Sequence, residues 1–336
     1  MTTFEFARSP GCTDSEPGTQ RWGLTALGLS ITSELPLIGA AQRRLVTGDR
    51  LVSITRRDGT TPLPSVDADG AVVIAEVRYV DGSLGMRVTH VPQSGYVVDS
   101  PSFGTFALSS DGSSIECEQL SPLVWRWHLP LYGQVLPLAS TLHGFELLHA
   151  SVVVLDNRAI VFVAPSGTGK TSLAARLVAS GVRPLADDVV ALECRDRTVL
   201  AHAGVPMANV AREQLEGLRP VERARLGHPV GSRDKIHLMV PNMPPAPVPL
   251  GALFFLFRSE KIERLTFELC DPPDPVTLLS ATYMPHITEP ARLAAQLDLC
   301  AQIAASVPTY RLLAPASVST SDLAAAVERV VAKALA

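Results

Sequence analysis

The chain has 336 residues, enough for one large or two modest domains, each with its own core. Hydrophobic residues make up 46% and charged residues 18%, the composition of a globular protein somewhat poor in charge. A formal net charge of -4 excludes the broad basic field of a nucleic-acid binder, and no run of about 18 apolar residues is present to span a bilayer.

Residues 1–21 are polar and rich in Pro, Gly and Ser, and read as a loose tail. They carry acidic residues and no apolar stretch, so no secretory signal is expected and the expected setting is cytoplasmic. The five cysteines (Cys12, Cys117, Cys194, Cys270 and Cys300) form no C-x-x-C pair, which points to reduced thiols rather than to zinc or a disulfide framework. Residues 22–130 alternate apolar and polar side chains and are punctuated by Asp-Gly at 58–59, 69–70, 81–82 and 111–112. This is the pattern of an antiparallel β domain. Residues 131–336 read as a second domain. It opens on a bridging helix over 131–145 and a strand hairpin turned at Asp156-Asn157-Arg158. A glycine-rich loop and a helix closed by Gly181 follow. A second hairpin turns around Arg195-Asp196-Arg197, and residues 220–250 read as loop. Two strands, "ALFFLF" and "RLTFEL", come next, then helices at "PVTLLSATY" and "EPARLAAQLDLCAQIAASV". A strand "TYRLLA" and a final helix starting at Ser319 or Ser321 complete the chain. Hairpins on both sides of the glycine-rich loop favour a mixed sheet over a doubly wound one, so the fold class expected is mixed α/β.

The loop itself, Ala164-Pro165-Ser166-Gly167-Thr168-Gly169-Lys170-Thr171 followed by Ser172, is a phosphate-binding P-loop, or Walker A, pattern between an apolar strand and a helix. Gly167 and Gly169 let backbone N–H groups approach phosphate oxygens without a Cβ in the way. The helix that follows turns its positive end to the same anion. Lys170 is placed to reach the β- and γ-phosphates of ATP, and the Thr171 hydroxyl to hold Mg²⁺. Ala164 stands where many such loops have glycine. One helix later come Asp187 and Asp188, carboxylates suited to the metal and to accepting a proton from an attacking hydroxyl. His149 opens the strand that leads to the loop; His128 and His143 are weaker candidates. Lys235 and Arg233 are candidates for reaching a phosphate, with a solvated strand end as the alternative, and Tyr283 for lining an acceptor pocket, with a helix core position as the alternative. The Leu-Ser-Gly-Gly signature of ABC ATPases and the Asn-Lys-x-Asp base reader of GTPases are both missing.

The order of His149, the strand pair, the P-loop, a helix and Asp187-Asp188 resembles the core of the HPr kinase/phosphorylase family over some forty-five residues. The resemblance implies a P-loop kinase domain with a mixed sheet akin to ATP-dependent phosphoenolpyruvate carboxykinase. It also implies ATP and Mg²⁺ as cofactors, with Thr171 and Asp188 on the metal. One of the two aspartates would act as base towards a serine acceptor, with the other and His149 organising the site. The family's Glu-x-Arg-Gly signature is missing; Arg212 and Glu213 in "NVAREQLEG" do not reproduce it, which removes the grounds for phosphorolysis and for HPr as substrate. The stretches "WGLTALGLSITSELPL", "LHGFELLHASVVV" and "VPLGALFFL" resemble the branch found with clusters for ribosomally made peptides, including lasso peptides. The expectation is therefore a serine kinase acting on a peptide or protein, with self-association suggested by the oligomeric parent family. A small-molecule kinase and a non-catalytic nucleotide-binding scaffold are the alternatives.

Overall fold

A computed structural model describes residues 21–42, 49–57, 59, 63–64 and 66–334; the expected tail over 1–21, apart from Arg21, and Cys12 lie outside the described residues. The chain divides into two units. One comprises Arg8–Phe145 with Met284–Glu289, and the other chiefly Glu146–Tyr283 with Pro290–Ala336. The division falls after Phe145 rather than after residue 130, because the helical segment expected to bridge the domains packs with the N-terminal strands.

In the N-terminal unit the strands are β1 (Trp22–Ala26), β2 (Leu29–Ser33), β3 (Ala41–Gln42), β4 (Leu51–Arg56), β5 (Val72–Arg78), β6 (Leu84–Val91), β7 (Gly95–Ser100), β8 (Gly104–Leu108) and β9 (Ser114–Glu118). They form one sheet in the order β3-β1-β2-β4-β9-β8-β7-β6-β5. β4 runs parallel to both β2 and β9, so the sheet is mixed where a wholly antiparallel one was expected. The glycines of the Asp-Gly turns at 69–70, 81–82 and 111–112 all have positive φ (81°, 82° and 74°), the conformation for which glycine is selected. Helix α1 (Val124–Pro130), one π turn (Leu131–Val135) and α2 (Leu136–Leu142) continue one another. Inside this unit His128 is fully buried. Its Nδ1–H donates to the Val124 carbonyl at 2.7 Å, and its Nε2 accepts from the Ile38 N–H at 3.0 Å. Burial lowers its pKa to about 4, so it is a neutral structural residue. His143 closes α2 and belongs to the N-terminal unit.

The second unit runs β10 (Glu146–Leu155), β11 (Arg158–Val163), α3 (Lys170–Ser180), β12 (Arg183–Ala186), β13 (Val189–Arg195), β14 (Thr198–His202), β15 (Met207–Val210), α4 (Arg212–Leu215), α5 (Pro220–Leu226), β16 (His228–Ser232) and β17 (Ile236–Met239). It continues with β18 (Val248–Ser259), β19 (Thr266–Cys270), α6 (Pro275–Leu279), α7 (Pro290–Ser306), β20 (Thr309–Pro315) and α8 (Thr320–Ala334). The main sheet follows β11-β10-β13-β14-β18-β20-β19, with β12 on β10 and a further pairing of β11 with β18. β11, β18 and β20 are parallel neighbours while β10, β13 and β14 are antiparallel, which is the mixed sheet that the hairpins predict. Both hairpins turn on two residues with positive φ, Asp156-Asn157 (48°, 57°) and Asp196-Arg197 (49°, 64°), one residue fewer than the expected loops.

Both faces of this sheet are covered, which is why "ALFFLF" is continuously apolar. Phe162, Phe254 and Leu312 pack with Leu173 and Leu177 of α3 and Val327 of α8. Val161, Leu253 and Phe255 face the other way, towards Leu299 and Ile303 of α7. Each such side chain contributes about 1.5–3 kcal/mol through burial, and the resulting block holds the loop after β11 rigidly. Residues 220–250 are not all loop: α5, β16 and β17 fall there, and β15-β17-β16 form a small separate sheet. Tyr283 lies beyond α6, so the helix read over "PVTLLSATY" ends four residues earlier than expected. Among the described residues no helix is long and apolar enough to cross a membrane, and Cys117, Cys194, Cys270 and Cys300 are free thiols.

Candidate active site around the P-loop

The site forms where β10 changes partners. Its first half pairs with β13, from Glu146 opposite Leu192 to His149 opposite Val189. Its second half pairs with β12, beginning with Val152 opposite Ala186. Asp187 and Asp188 fill the two-residue gap between β12 and β13 and therefore lie against His149, Ala150 and Ser151. Asp188 has φ +73°, and the Val189 N–H bonds back to the Asp187 carbonyl at 3.0 Å, a tight three-residue turn. A left-handed backbone at an aspartate costs on the order of 1 kcal/mol and persists because β10 fixes both flanking strands.

The P-loop leads from β11 into α3. Gly167 (φ +83°) and Gly169 (φ +109°) are left-handed, and a Cβ on Gly167 would meet open space. Pro165 and Ser166 are exposed, and Thr168 donates its N–H to the Pro165 carbonyl at 3.3 Å. Gly169 caps α3 without a side chain, so the helix start has no side-chain cap bond from its N-cap residue. Ser172 accepts a hydrogen bond from Gln214 of α4, whose neighbours Arg212 and Glu213 are exposed.

Lys170 is 7% exposed, and its Nζ lies 2.7 Å from His149 Nε2 and 3.5 Å from the Ala164 carbonyl. The other ring nitrogen of His149 faces the Asp188 carbonyl at 3.0 Å and the Asp188 carboxylate at 3.3 Å. A carbonyl only accepts and an ammonium only donates, so His149 is the neutral Nδ1–H tautomer with Nε2 as acceptor. Burial lowers the Lys170 pKa; the carboxylates of Asp188 and Asp187 oppose that shift, and the charge of Lys235 adds to it. Lys235 and Arg233 stand on the exposed turn between β16 and β17, and the Lys235 charge reaches Lys170. Tyr283, beyond the end of α6, stacks on His149 with ring centroids 5.8 Å apart.

Asp187 is the better-held carboxylate. Its Oδ1 accepts from Ser151 at 2.7 Å and Thr171 at 3.0 Å, and its Oδ2 accepts from the Asn209 N–H at 3.1 Å. Asn209 is itself fixed by the His237 Nδ1–H at 2.6 Å. The carboxylate beside Thr171 is thus Asp187, which corrects the pairing of Thr171 with Asp188. The Asp188 side chain, 44% exposed, turns instead towards His149. Ser151, Asn209 and Gln214 were not singled out from sequence.

Burial raises the Asp187 pKa, with the neighbouring Asp188 charge adding to the rise and the three donors opposing it. A small cavity lined by Val152, Ala174, Val178, Met207 and Leu226 adjoins this carboxylate and keeps its surroundings apolar. A group whose folded pKa is raised contributes stability below its unfolded value, about 3.9, and that contribution is lost as pH rises through the folded value. The thermal midpoint of the nucleotide-free chain should therefore carry a component that declines with rising pH above about 4. Asp187→Asn should remove that component, as paired melting curves across this range will show.

Among the described residues no group of three His, Cys, Asp or Glu side chains forms a self-contained metal site. Thr171 and Asp187, 3.0 Å apart beside a helix start without a side-chain cap, match the sparse oxygen donor set that Mg²⁺ takes when phosphates complete its shell.

No family model and no curated protein matches the chain. Among solved structures it is similar to the Hpr(Ser) kinase/phosphatase from Coxiella burnetii, at 12% identity over 56% of this chain and 95% of that one, with a TM-score of 0.29. A likeness of that size assigns no activity, and the functional reading rests on the residues themselves.

Proposed function

We propose that the chain is an ATP- and Mg²⁺-dependent kinase that transfers the γ-phosphoryl group to a serine hydroxyl of a peptide or protein. One observation carries the reading. The P-loop Lys170 and Thr171 are each tied by hydrogen bonds to a side chain of the β10 partner switch, His149 and Asp187, with the exposed carboxylate of Asp188 beside them. A loop that served only to bind nucleotide would need no half-exposed carboxylate held in a strained backbone at its phosphate end.

The backbone of Gly167 to Thr171 receives the phosphates, and Lys170 exchanges its bond to neutral His149 for the stronger charge-assisted bond to a phosphate oxygen. Asp188 takes the serine proton as the serine oxygen bonds to phosphorus and the bond to the bridging β–γ oxygen breaks, releasing ADP. His149 holds Asp188 through its Nδ1–H. Mg²⁺, held by Thr171 and Asp187, would neutralise charge on the phosphate oxygens. Ser151 orients Asp187 and opposes the rise in its pKa, so Ser151→Ala should raise the Mg²⁺ concentration for half-maximal activity by roughly 10-fold. A magnesium titration of initial rates checks this.

The finer reading, a serine in a ribosomally made precursor peptide of the lasso type, rests on the resemblance of the three stretches quoted above. Mass spectrometry of a precursor peptide encoded beside this gene, after incubation with Mg-ATP, tests it: one added phosphate on serine supports it. Phosphorylation of a metabolite alone would favour the small-molecule kinase. Self-association and a cytoplasmic setting belong to the same proposal, and the solution mass of the chain tests the former.

A further inference from the structure

The P-loop has two flanks, and they differ. β11 is bordered on one side by β10 and on the other by β18. The β10 flank carries His149, Ser151, Asp187 and Asp188, the groups assigned to the transferred phosphoryl and its acceptor. The β18 flank carries Arg258. β18 is parallel to β11, with Val163 opposite Phe255, so the chain beyond Phe255 runs out alongside the P-loop. β20 is parallel to β18, with Arg258 opposite Ala314, and its exit segment borders the same edge.

Arg258 is tied down on one side. Its Nη2 donates to the Ala316 carbonyl at 3.0 Å and to the Val318 carbonyl, which uses both of its hydrogens. Its Nη1 is the atom nearest the position a Cβ on Gly169 would take, 3.9 Å away. Among the described residues no hydrogen bond engages Nη1 or Nε. A planar guanidinium fixed at one nitrogen presents the other with little remaining freedom, a suitable arrangement for a phosphate oxygen.

Resting on the kinase reading above, we infer that Arg258 holds the α-phosphate of the nucleotide, and that the ribose and base leave the P-loop across the C-terminal ends of β18 and β20. The direction follows from the asymmetry. With the γ-phosphate at Lys170, Asp187 and Asp188 on the β10 flank, the nucleoside end points to the opposite flank, over the C-terminal edge of parallel strands where ligands of α/β sheets lie. The segments 259–263 and 316–319 then border the base, and Arg258 ties the second of them to the phosphate chain.

The test compares ligands with and without a nucleoside end. Binding of Mg-ATP, Mg-ADP and Mg-pyrophosphate is measured by calorimetry for the wild-type chain, Arg258→Ala, Arg258→Lys and Lys170→Ala. Arg258→Ala should lose about 10- to 100-fold in affinity for ATP and ADP, the worth of one charge-assisted contact, and stay within about twofold for pyrophosphate. Arg258→Lys should recover part of the nucleotide affinity, and Lys170→Ala should weaken all three ligands. The ratio of ADP to pyrophosphate affinity separates recognition from a general loosening of the loop. Unchanged ATP affinity in Arg258→Ala, or an equal loss for ATP and pyrophosphate, would overturn the inference and leave Arg258 as a clamp between β18 and the segment leading into α8. Failure of the wild-type chain to bind ATP would overturn the nucleotide reading itself, and this inference with it.

Discussion

Asp188→Asn should retain ATP binding and lose phosphoryl transfer, with the single-turnover rate falling by on the order of 10²- to 10⁴-fold, the usual worth of a positioned base. On the proposed mechanism the substitution isolates the proton acceptor. Asparagine tolerates the left-handed backbone at φ +73°, so the turn between β12 and β13 is kept, whereas alanine would add strain there. The Asp188 main-chain carbonyl, which receives the His149 Nδ1–H, is untouched. Quenched-flow measurement with bound nucleotide reads the rate, and calorimetry reads the affinity. An Asp188→Asn protein that transfers at the wild-type rate would move the base elsewhere, Asp187 being the neighbouring carboxylate.

Lys170→Ala should lower kcat/KM by about 10²- to 10³-fold, because on the proposed mechanism the lysine charge faces the phosphates as charge shifts in the transition state. Its cost to the fold should be small. Lys170 is a buried cation whose pKa burial already depresses, so removing it also removes a desolvation penalty. The thermal midpoint of the nucleotide-free chain should stay level or rise, which separates loss of chemistry from loss of structure. Lys170→Arg should not rescue activity, since Nζ sits 2.7 Å from His149 Nε2 and a planar guanidinium does not fit that space. A destabilised Lys170→Ala chain, or one with unchanged kcat/KM, would contradict this account.

Features written in local chemistry were legible from the sequence. The glycine spacing of the P-loop, the places of the two hairpins though not their two-residue length, Gly181 closing α3 and Ser319 capping α8 all follow from local backbone preferences. His149 and Asp187-Asp188 could be grouped because their order about the loop is distinctive. Ser151, Asn209 and Arg258 could not. Each is a polar residue in a largely apolar strand, and only non-local pairing brings it to the loop. The stretch 220–250 read as loop because Pro220, Pro229 and the charges of "VERAR" mask a short helix and two strands of four and five residues. Glu222, bonding back to the Arg219 N–H at 2.9 Å, was the overlooked helix-start signal there. The exchange of Asp187 for Asp188 at Thr171 has the same origin. Adjacent residues in a strained turn point in different directions, and the order of residues alone does not say which one meets Thr171.

The most direct measurement follows the γ-phosphate. With γ-labelled ATP, Mg²⁺ and a serine-bearing peptide, the account expects label on the serine oxygen, formed by the wild-type chain and not by Asp188→Asn. Label recovered only as ATP, or only as free inorganic phosphate at equal rates in both proteins, would show that Asp188 activates no acceptor hydroxyl.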